Sequence, residues 1–393
     1  SKALWIAGVD VVLEPGAPGN RPGVPIESVA LDQTLQGVSS LTFQYEDPLS
    51  TGYVPADDDP VLFWDLERDY PLFGGFVTDT VVIPFATGRI VSVRCTGRAR
   101  VLDGAKLTAS VALAAGLDAQ DAILAVVAAA AGIGGLQAAG SGTTFSDVTR
   151  GVAQLQDVAL ATLGLAYELT IPAGVSVRGA IDTIARATTI ISGWAGATLP
   201  QIAATVDDLG HLRILDTTQV GYGYADVRTL SVDPTPVRDG STENLEHERD
   251  AAGTVRGVFI QGANAAGTGL ALDGSGREGA IAVISDGTID TAAKLADAQA
   301  HYLGQFATTV RGHFDLEWSP AVDGDIGNGR RYVRAGGPLV ITALNVGVDV
   351  PYRIETISRR FLPGGAEAWT VHYGGGPAWA SQLVRTLTRN IQG

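Results

Sequence analysis

The stretch Pro338–Gly375, PLVITALNVGVDVPYRIETISRRFLPGGAEAWTVHYGG, decides the fold class because it predicts three consecutive β-strands. Its last run alternates apolar and polar residues, which is the period of a strand with one buried face. Leu362-Pro-Gly-Gly365 predicts the turn before that run, because proline presets φ and glycine tolerates positive φ. The three predicted strands are Leu339–Leu344, Tyr352–Phe361 and Ala366–Tyr373.

A similar stretch, Pro60–Gly97, lies near the N-terminus and reads PVLFWDLERDYPLFGGFVTDTVVIPFATGRIVSVRCTG. Both copies open on a proline before three apolar residues and close on an alternating strand. They lie about 280 residues apart, which is too far for a solenoid repeat and predicts two similar antiparallel β domains. The matched segments are Pro60–Phe63 with Pro338–Ile341, Tyr70-Pro71 with Val350-Pro351, and Phe85–Gly88 with Phe361–Gly364.

The composition is acidic and argues against a surface that grips nucleic acid. The 393 residues include 27 basic and 42 acidic side chains, for a formal net charge of −15. Binding to nucleic acid needs a basic stripe, so specific binding is not predicted. The charge is compatible with a channel through which DNA slides, because carboxylates repel phosphates and would not retain them.

The single cysteine, Cys95, excludes an intrachain disulfide framework and a CxxC metal site. We expect it to be a small buried side chain in a strand rather than a nucleophile. The chain opens on Ser1-Lys2-Ala3 and a β-like run, so no signal peptide is expected. No apolar run reaches the ~18–20 residues of a membrane span, and the longest, Ala122–Ile133, is too short.

Changes of pattern along the chain predict its domains. Short strands with regular turn signals predict a first β domain over 1–103, and helical patterns with a hairpin predict an α+β insert over 104–235. A second β domain follows over 236–376, with a helix at 291–306, and residues 377–393 form a C-terminal tail. The predicted fold class is mainly β, with two similar antiparallel, barrel-like domains and an inserted α+β domain.

Three polar residues predict helix starts. Asp118 and Ser176 precede helical patterns in the insert, and Asp290 precedes the helix of the second β domain. Each side chain can accept a hydrogen bond from the first turn of the helix that follows it.

Three other segments are predicted to be turns, loops or linkers. Asp208-Leu209-Gly210 predicts the turn of a hairpin between strands 202–207 and 211–216. The Gly/Ala-rich segment 263–279 is expected to be an exposed loop. Residues 233–241, which are rich in proline, predict a linker between the insert and the second β domain.

Two patterns resemble ligand sites but favour loops. Gly274–Gly279 fits GxGxxG, yet a dinucleotide site needs a helix directly after the glycines, and the strand-like AIAVIS follows here. Two polar groups suggest calcium, but neither has the spacing of an EF-hand loop, so solvated turns are favoured. They are Asp273, Ser275 and Glu278, and Asp323, Asp325 and Asn328.

No constellation predicts an enzyme. The acidic run Glu243–Asp250 admits a paired-carboxylate glycosidase, but nothing singles out two acids among 42, and a charged linker is favoured. There is no GxSxG elbow or P-loop. The histidines show no HExxH or His-x-His pattern, so we predict no catalytic residue, no cofactor and no metal site. They are His211, His247, His301, His313 and His372.

The order of elements resembles that of the baseplate-hub, or tail-associated, proteins at the tip of phage tails. The resemblance is one of pattern and covers nearly the whole chain. It is carried by a helix and a hairpin, SVRGAIDTIARAT (176–188) and TVDDLGHLRIL (205–215), then ENLEHERDAAGTVRGVFIQG (243–262), AAKLADAQAHYLGQF (292–306) and the stretch quoted first.

The resemblance implies a structural virion protein of the tail tip, made in the host bacterial cytoplasm, that is not an enzyme. Such hubs carry two tube-forming β domains per chain and form homotrimers, whose six domains match a hexameric tail tube. The implied partners are a distal tail or tail tube protein above, tip or fibre proteins below and the C-terminus of the tape-measure protein in the lumen. DNA passes during ejection without specific binding, and we expect an acidic lumen. One family variant holds a cysteine-bound cluster, against which the single cysteine argues.

Three other functions stay open at this point. A distal tail protein would carry one such β domain and form a hexamer. A receptor-binding tail component would usually carry a lectin-like module, and none is recognisable. A virion-associated cell-wall hydrolase would need a catalytic constellation that the sequence does not display.

Overall fold

The computed structural model describes most of the two predicted β domains and part of the insert. The described residues are 2–11, 23–34, 38–47, 54–66, 70–130, 136–138, 153–155, 164–165, 168–187, 202–208, 210–216, 230–232, 242–250, 255–276, 279–287, 289–306, 309–317, 333–343, 348–363 and 366–374. The predicted linker 233–241, the tail 377–393 and the group Asp323, Asp325 and Asn328 lie outside them.

The elements within these residues are mostly strands. The helices are α1 Arg100–Gly104, α2 Ala119–Ala130, α3 Val177–Ala187 and α4 Ala292–Phe306. The strands are β1 Lys2–Ile6, β2 Val9–Val11, β3 Ala30–Thr34, β4 Ser40–Asp47, β5 Pro60–Asp65, β6 Tyr70–Phe85, β7 Gly88–Gly97, β8 Val111–Leu113, β9 Leu136–Ala138, β10 Ala153–Leu155, β11 Leu169–Ile171, β12 Ile202–Val206, β13 His211–Asp216, β14 Leu230–Val232, β15 Thr242–Asp250, β16 Val255–Gln261, β17 Gly269–Leu272, β18 Ala280–Ser285, β19 Thr309–Glu317, β20 Pro338–Ala343, β21 Val348–Phe361 and β22 Glu367–Gly374.

Two units of the same topology make up the largest sheet. The N-terminal unit has the strand order β3-β4-β7-β6-β5-β1, and the C-terminal unit has the order β15-β19-β22-β21-β20-β14. The sixth strand of the two orders differs, because β1 is antiparallel to β5 whereas β14 is parallel to β20, and β2 extends the N-terminal unit beyond β1. Each unit encloses its own apolar core, as the alternating strands predict.

The register of the strands confirms the internal duplication. Each unit has a β-bulge at one place in its long strand, between Val77 and Asp79 in β6 and between Ile354 and Thr356 in β21. Counted from the bulges, Pro60 and Pro338 occupy equivalent places, because each lies opposite the residue next to the bulged pair. Tyr70-Pro71 and Val350-Pro351 are not equivalent, because Tyr70 is opposite Asp65 whereas Val350 is opposite Ile341.

The two units join through one strand pair. β21 pairs with β3 in antiparallel register from Thr356 opposite Thr34 to Arg360 opposite Ala30. This pairing merges the units into a single sheet of 13 strands. The chain is thus mainly β, as predicted, and the two predicted β domains share one continuous sheet; the domain boundaries stay a prediction.

The insert packs its helices over a separate apolar core. Asp118 Oδ1 accepts from the backbone N–H of Gln120 at 2.8 Å, and Ser176 Oγ accepts from Gly179 N–H at 3.1 Å, so both predicted caps are confirmed. β12 and β13 form the predicted hairpin. The strand β7, which precedes the insert, ends at Gly97, and the short helix α1 follows.

A three-stranded sheet with the order β17-β16-β18 lies between β15 and β19 in the chain and is packed against α4. We call these four elements the satellite sheet. The expectation of a loop over 263–279 was wrong, because β17 lies inside it and pairs with β16. The cap of α4 is Thr291, whose Oγ1 accepts from Lys294 N–H at 3.3 Å, whereas Asp290 forms an ion pair with Lys294.

Of two smaller expectations, the one about the first strand was wrong and the one about Cys95 is confirmed. The strand expected from Ala3 onward is broken into the hairpin β1–β2, because Ala7 and Gly8 both adopt positive φ. Cys95 is fully buried in β7, as expected, and burial raises the pKa of its thiol far above the ordinary value. Among the described residues, no helix is long and apolar enough to cross a membrane.

Candidate functional site

Besides the end strands β2 and β14, the 13-stranded sheet has two free edges within the described part of the chain. One is β15, which lies at the opposite end of the C-terminal unit from β14. The other is the second half of β6, which pairs only with β7 after its first half has paired with β5. Val81, Val82 and Ile83 in that half are 46%, 41% and 50% exposed. An exposed apolar edge is a template for pairing with another strand.

β15 is a strand although the sequence favoured a charged linker at Glu243–Asp250. It pairs with β19 along its length, with a bulge between Glu243 and Glu246. Charges and bulges on an edge strand prevent indiscriminate pairing before the correct partner arrives. The polar character of this run therefore reflects its position at the edge.

Three of the five histidines lie on neighbouring strands, His313 and His372 on one face of the sheet and His247 on the face of the apolar core. His313 lies directly opposite His372, with ring centroids 5.4 Å apart, and His247 stacks on Tyr373 at 6.2 Å. Burial and the neighbouring His313 lower the pKa of His372, and burial raises the pKa of Tyr373 to about 12. Within the described residues, no group of three or more ligating side chains is placed to hold a metal ion.

One face of the sheet is polar across eight adjacent strands, from β15 through β19, β22, β21, β3, β4 and β7 to β6. We call it the polar face. The opposite face carries the apolar cores. Between the charges, the polar face is lined with small hydroxyl side chains such as Thr42, Ser92 and Thr370.

The charges of the polar face are mostly negative. Asp315 has its pKa lowered by hydrogen bonds from Asn244 and Thr370, so it stays ionised at neutral pH. The described residues place six carboxylates and two arginines there, namely Asp32, Glu46, Asp79, Glu246, Asp315 and Glu317, with Arg94 and Arg360.

A buried charged junction connects the insert to both units. The turn between β12 and β13 reaches β6, where Gly74 N–H donates to Asp208 Oδ1 at 3.1 Å. A side chain at Gly74 would collide with the Asp208 backbone carbonyl, so only glycine allows this approach. Burial raises the pKa of Asp208 to about 7, against the opposing effect of Arg334. Burial also lowers the pKa of Arg98 to about 10.

Arg359 occupies the junction from the C-terminal unit. It is 1% exposed, its guanidinium lies 4.2 Å from the centroid of the Trp369 ring, and its Nη2 donates to the Val333 carbonyl at 3.0 Å. Arg359 is opposite Leu31 in the strand pair that joins the two units. The junction therefore holds the insert at the place where the two units meet.

A second ionic contact also bridges the units. Lys2 Nζ lies 3.1 Å from Asp65 Oδ2 in the N-terminal unit and 2.8 Å from Glu367 Oε1 in the C-terminal unit. Glu367 also accepts from Trp369 Nε1 at 2.9 Å. Both carboxylates are buried, so the ammonium group supplies the charge that their burial requires.

The described part of the GxGxxG stretch and of the first calcium-like group forms a turn, and Glu278 lies outside the described residues. Gly274 and Gly276 adopt positive φ in the turn between β17 and β18, where the GxGxxG pattern suggested a loop. Asp273 accepts from Ser275 N–H and from Arg256, which lowers its pKa to about 2. The carboxylate of Asp273 thus stabilises a turn and forms an ion pair with Arg256.

The functional features that sequence reasoning missed are the two free edges, the polar face and the buried junction. The duplication could have revealed the free edges. If two similar units join through one pair of strands, the equivalent strands on the outer sides of the two units are left without a partner. The junction has no comparable signal, since Asp208 and Gly74 are separated by 134 residues.

Comparison with solved structures finds this architecture in phage tail proteins. The tail protein from Neisseria meningitidis MC58 superposes with a TM-score of 0.57 at 12% identity, over 95% of this chain and 96% of that chain. The 43 kDa tail protein of prophage MuSo2 from Shewanella oneidensis gives 0.58 at 10% identity, over 95% and 97%. The prophage tail protein gp18 from Listeria monocytogenes EGD-e gives 0.51 at 10%, over 94% of each chain.

No protein-family model and no curated protein matches the sequence. The structural likeness spans both units, the insert and the satellite sheet, because almost the whole of each chain is covered. The expected resemblance is therefore confirmed at the level of architecture: the chain has the fold of phage tail proteins.

Proposed function

We propose that this chain is a structural component of a phage tail and serves as the hub of the tail tip. Three copies would form a ring in which six equivalent units match a hexameric tail tube. The fold shared with phage tail proteins supports a role in the tail, and the two equivalent units support the hub over a distal tail protein with one such unit.

The observation that carries the proposal is the strand pair β21–β3, because it shows how one unit binds the next. By the bulges, Asp79 and Ile83 of β6 are equivalent to Thr356 and Arg360 of β21. By the pairing with β4 and β19, Glu246 of β15 is equivalent to Ala30 of β3. The equivalent contact between copies therefore pairs β6 of one copy with β15 of the next.

The register of that contact follows from the same equivalences. Arg360 is opposite Ala30 within the chain, so Ile83 is expected opposite Glu246 of the neighbouring copy. Val82 is then expected opposite His247, which equates with Leu31. Both free edges are satisfied by one heterologous contact, and three copies of eight strands close a ring of 24 strands.

The polar face provides the proposed lumen. With the apolar cores on the other face, ring closure would turn the carboxylates inward, and an acidic lining would not retain phosphates. In this proposal the lumen holds the C-terminus of the tape-measure protein before infection and passes DNA during ejection. A distal tail or tube protein binds above, and tip or fibre proteins bind below.

The test is a cross-link between copies. The double variant Ile83→Cys/Glu246→Cys, treated with a short thiol-reactive cross-linker, should give a covalent trimer, because directly opposite Cβ atoms lie about 5 Å apart. The variant Ile83→Cys/Asp250→Cys is the register control, since four residues along the strand without a bulge add roughly 13 Å. Each single variant controls for contacts between identical positions.

Light scattering of the uncross-linked protein gives the number of copies independently. A trimer with register-specific cross-links is the expected result. A hexamer would support the distal tail protein instead. Cross-links of equal yield in both double variants would show that the strands do not pair in this register.

A further inference from the structure

The satellite sheet has two apolar faces, but α4 covers only one of them. Val258 and Ile260 of β16 are fully buried together with Tyr302 of α4. The other face carries two rows of apolar residues across the three strands. In the order β17, β16 and β18, the rows are Leu270, Phe259 and Val283, and Leu272, Gly257 and Ile281.

This uncovered face, which we call the satellite patch, is unusually exposed. Leu270, Leu272, Ile281 and Val283 are 50%, 62%, 51% and 49% exposed, and they are four of the ten large apolar side chains exposed in the described part of the chain. Gly257 lies between two of them, and Leu272 comes close above it. A contiguous apolar patch of this kind marks a surface that another segment covers.

The chain itself supplies a segment at this place. β22 ends at Gly374, which is opposite Arg311, and β19 begins at Thr309 shortly after α4 ends at Phe306. The chain therefore leaves the large sheet beside the satellite sheet. The 19 residues that follow, 375–393, lie outside those that the structure describes.

The sequence of that segment has the pattern required to cover an apolar sheet face. Trp379, Leu383, Leu387 and Ile391 recur at every fourth position, and the residues between them are arginines and polar residues apart from Ala380 and Val384. Apolar residues at this spacing predict one apolar stripe along a helix. α4 covers the opposite face of the same sheet in this way, with Leu295 and Tyr302 packed against it.

We propose that residues 377–391 bind the satellite patch of the same chain. The segment would place its apolar stripe across β17, β16 and β18, so that the satellite sheet lies between two helices. This inference is independent of the proposed function, because the contact lies within one chain and is expected in a monomer and in a ring alike. A second copy of the chain and another tail protein are the alternative occupants.

Thiol labelling of Leu272→Cys tests the proposal. The native Cys95 does not interfere, because it is fully buried and its burial raises the pKa of its thiol. In the Leu272→Cys background, Leu383→Asp with Leu387→Asp should accelerate labelling about tenfold or more, since a charged stripe cannot cover an apolar patch. Arg385→Ala with Arg389→Ala is the matched control and should leave the rate unchanged.

A disulfide identifies the occupant. Leu272→Cys paired with Leu383→Cys should oxidise within the chain, which changes mobility in a denaturing gel without changing the mass. Disulfide-linked dimers as the main product would assign the patch to a second copy and overturn the proposal. Fast labelling in every variant, including the unaltered segment, would also overturn it, because the patch would then be open or await another protein.

Discussion

Replacing Asp208 by asparagine should stabilise the protein more at alkaline than at acidic pH. Burial raises the pKa of Asp208 from 3.8 to about 7, so the folded chain binds this proton more tightly than the unfolded chain. The stability that protonation contributes is fully present below pH 3.8 and is lost as the pH rises to about 7. An asparagine side chain would keep an acceptor for Gly74 N–H but has no charge to bury.

The magnitude follows from the same pKa. Between pH 5 and the folded pKa of about 7, stability falls by about 1.4 kcal/mol per pH unit, or roughly 3 kcal/mol for two units. Asp208 keeps some exposure to solvent, and screening by that solvent reduces the change in stability with pH. We therefore expect the advantage of Asp208→Asn over the wild type to be about 2 kcal/mol larger at pH 8 than at pH 5.

Urea unfolding of both proteins at pH 5 and pH 8 measures this difference. Asp297→Asn, which removes an exposed carboxylate from α4, controls for the loss of one negative charge from an acidic chain. An advantage that does not change with pH would refute the reasoning. An advantage that shrinks as pH rises would show that Arg334 and Arg359 hold Asp208 ionised and outweigh its burial.

Two further substitutions test the contacts that join the units and the insert. Gly74→Ala should lower the free energy of unfolding by about 2 kcal/mol, because the new Cβ would displace the carbonyl of Asp208; urea unfolding checks this, with Gly104→Ala, which meets open space, as control. Lys2→Met should cost about 3 kcal/mol, because Glu367 and a second buried carboxylate lose their counterion. Thermal unfolding should show a lower Tm for Lys2→Met and little change in Tm for Lys2→Arg.

Local signals predicted the strands and helix caps well. Pro60 and Pro338 lie at equivalent register positions because proline is tolerated at the first residue of a strand. The caps at Asp118 and Ser176 could be predicted because each side chain accepts a hydrogen bond from the helical turn that directly follows it in the sequence. Asp290 shows the limit of this logic, since Thr291 lies one residue closer and provides the cap.

The joining of the units could not be predicted in the same way. Pairing of Thr356 with Thr34 connects residues more than 300 positions apart, and alternation within each strand specifies a face but no partner. The buried junction is equally remote from local signals. Asp208 looks like a turn residue in sequence, and only the fold brings Gly74 and Arg359 toward it.

The difference between the two equivalent edges is itself informative. β3, which is always paired within the chain, reads ALDQT, whereas its equivalent β15 reads TENLEHERD and carries a bulge. A strand that is covered from the moment of folding needs no protection, but one that waits for another copy must stay soluble as an open edge. The free half of β6 shows the same feature, because Pro84 removes a donor near its end. Under the proposed ring, replacing the charges of β15 by the residues of β3 should therefore promote indiscriminate aggregation rather than tighter trimers, and light scattering as a function of concentration distinguishes the two results.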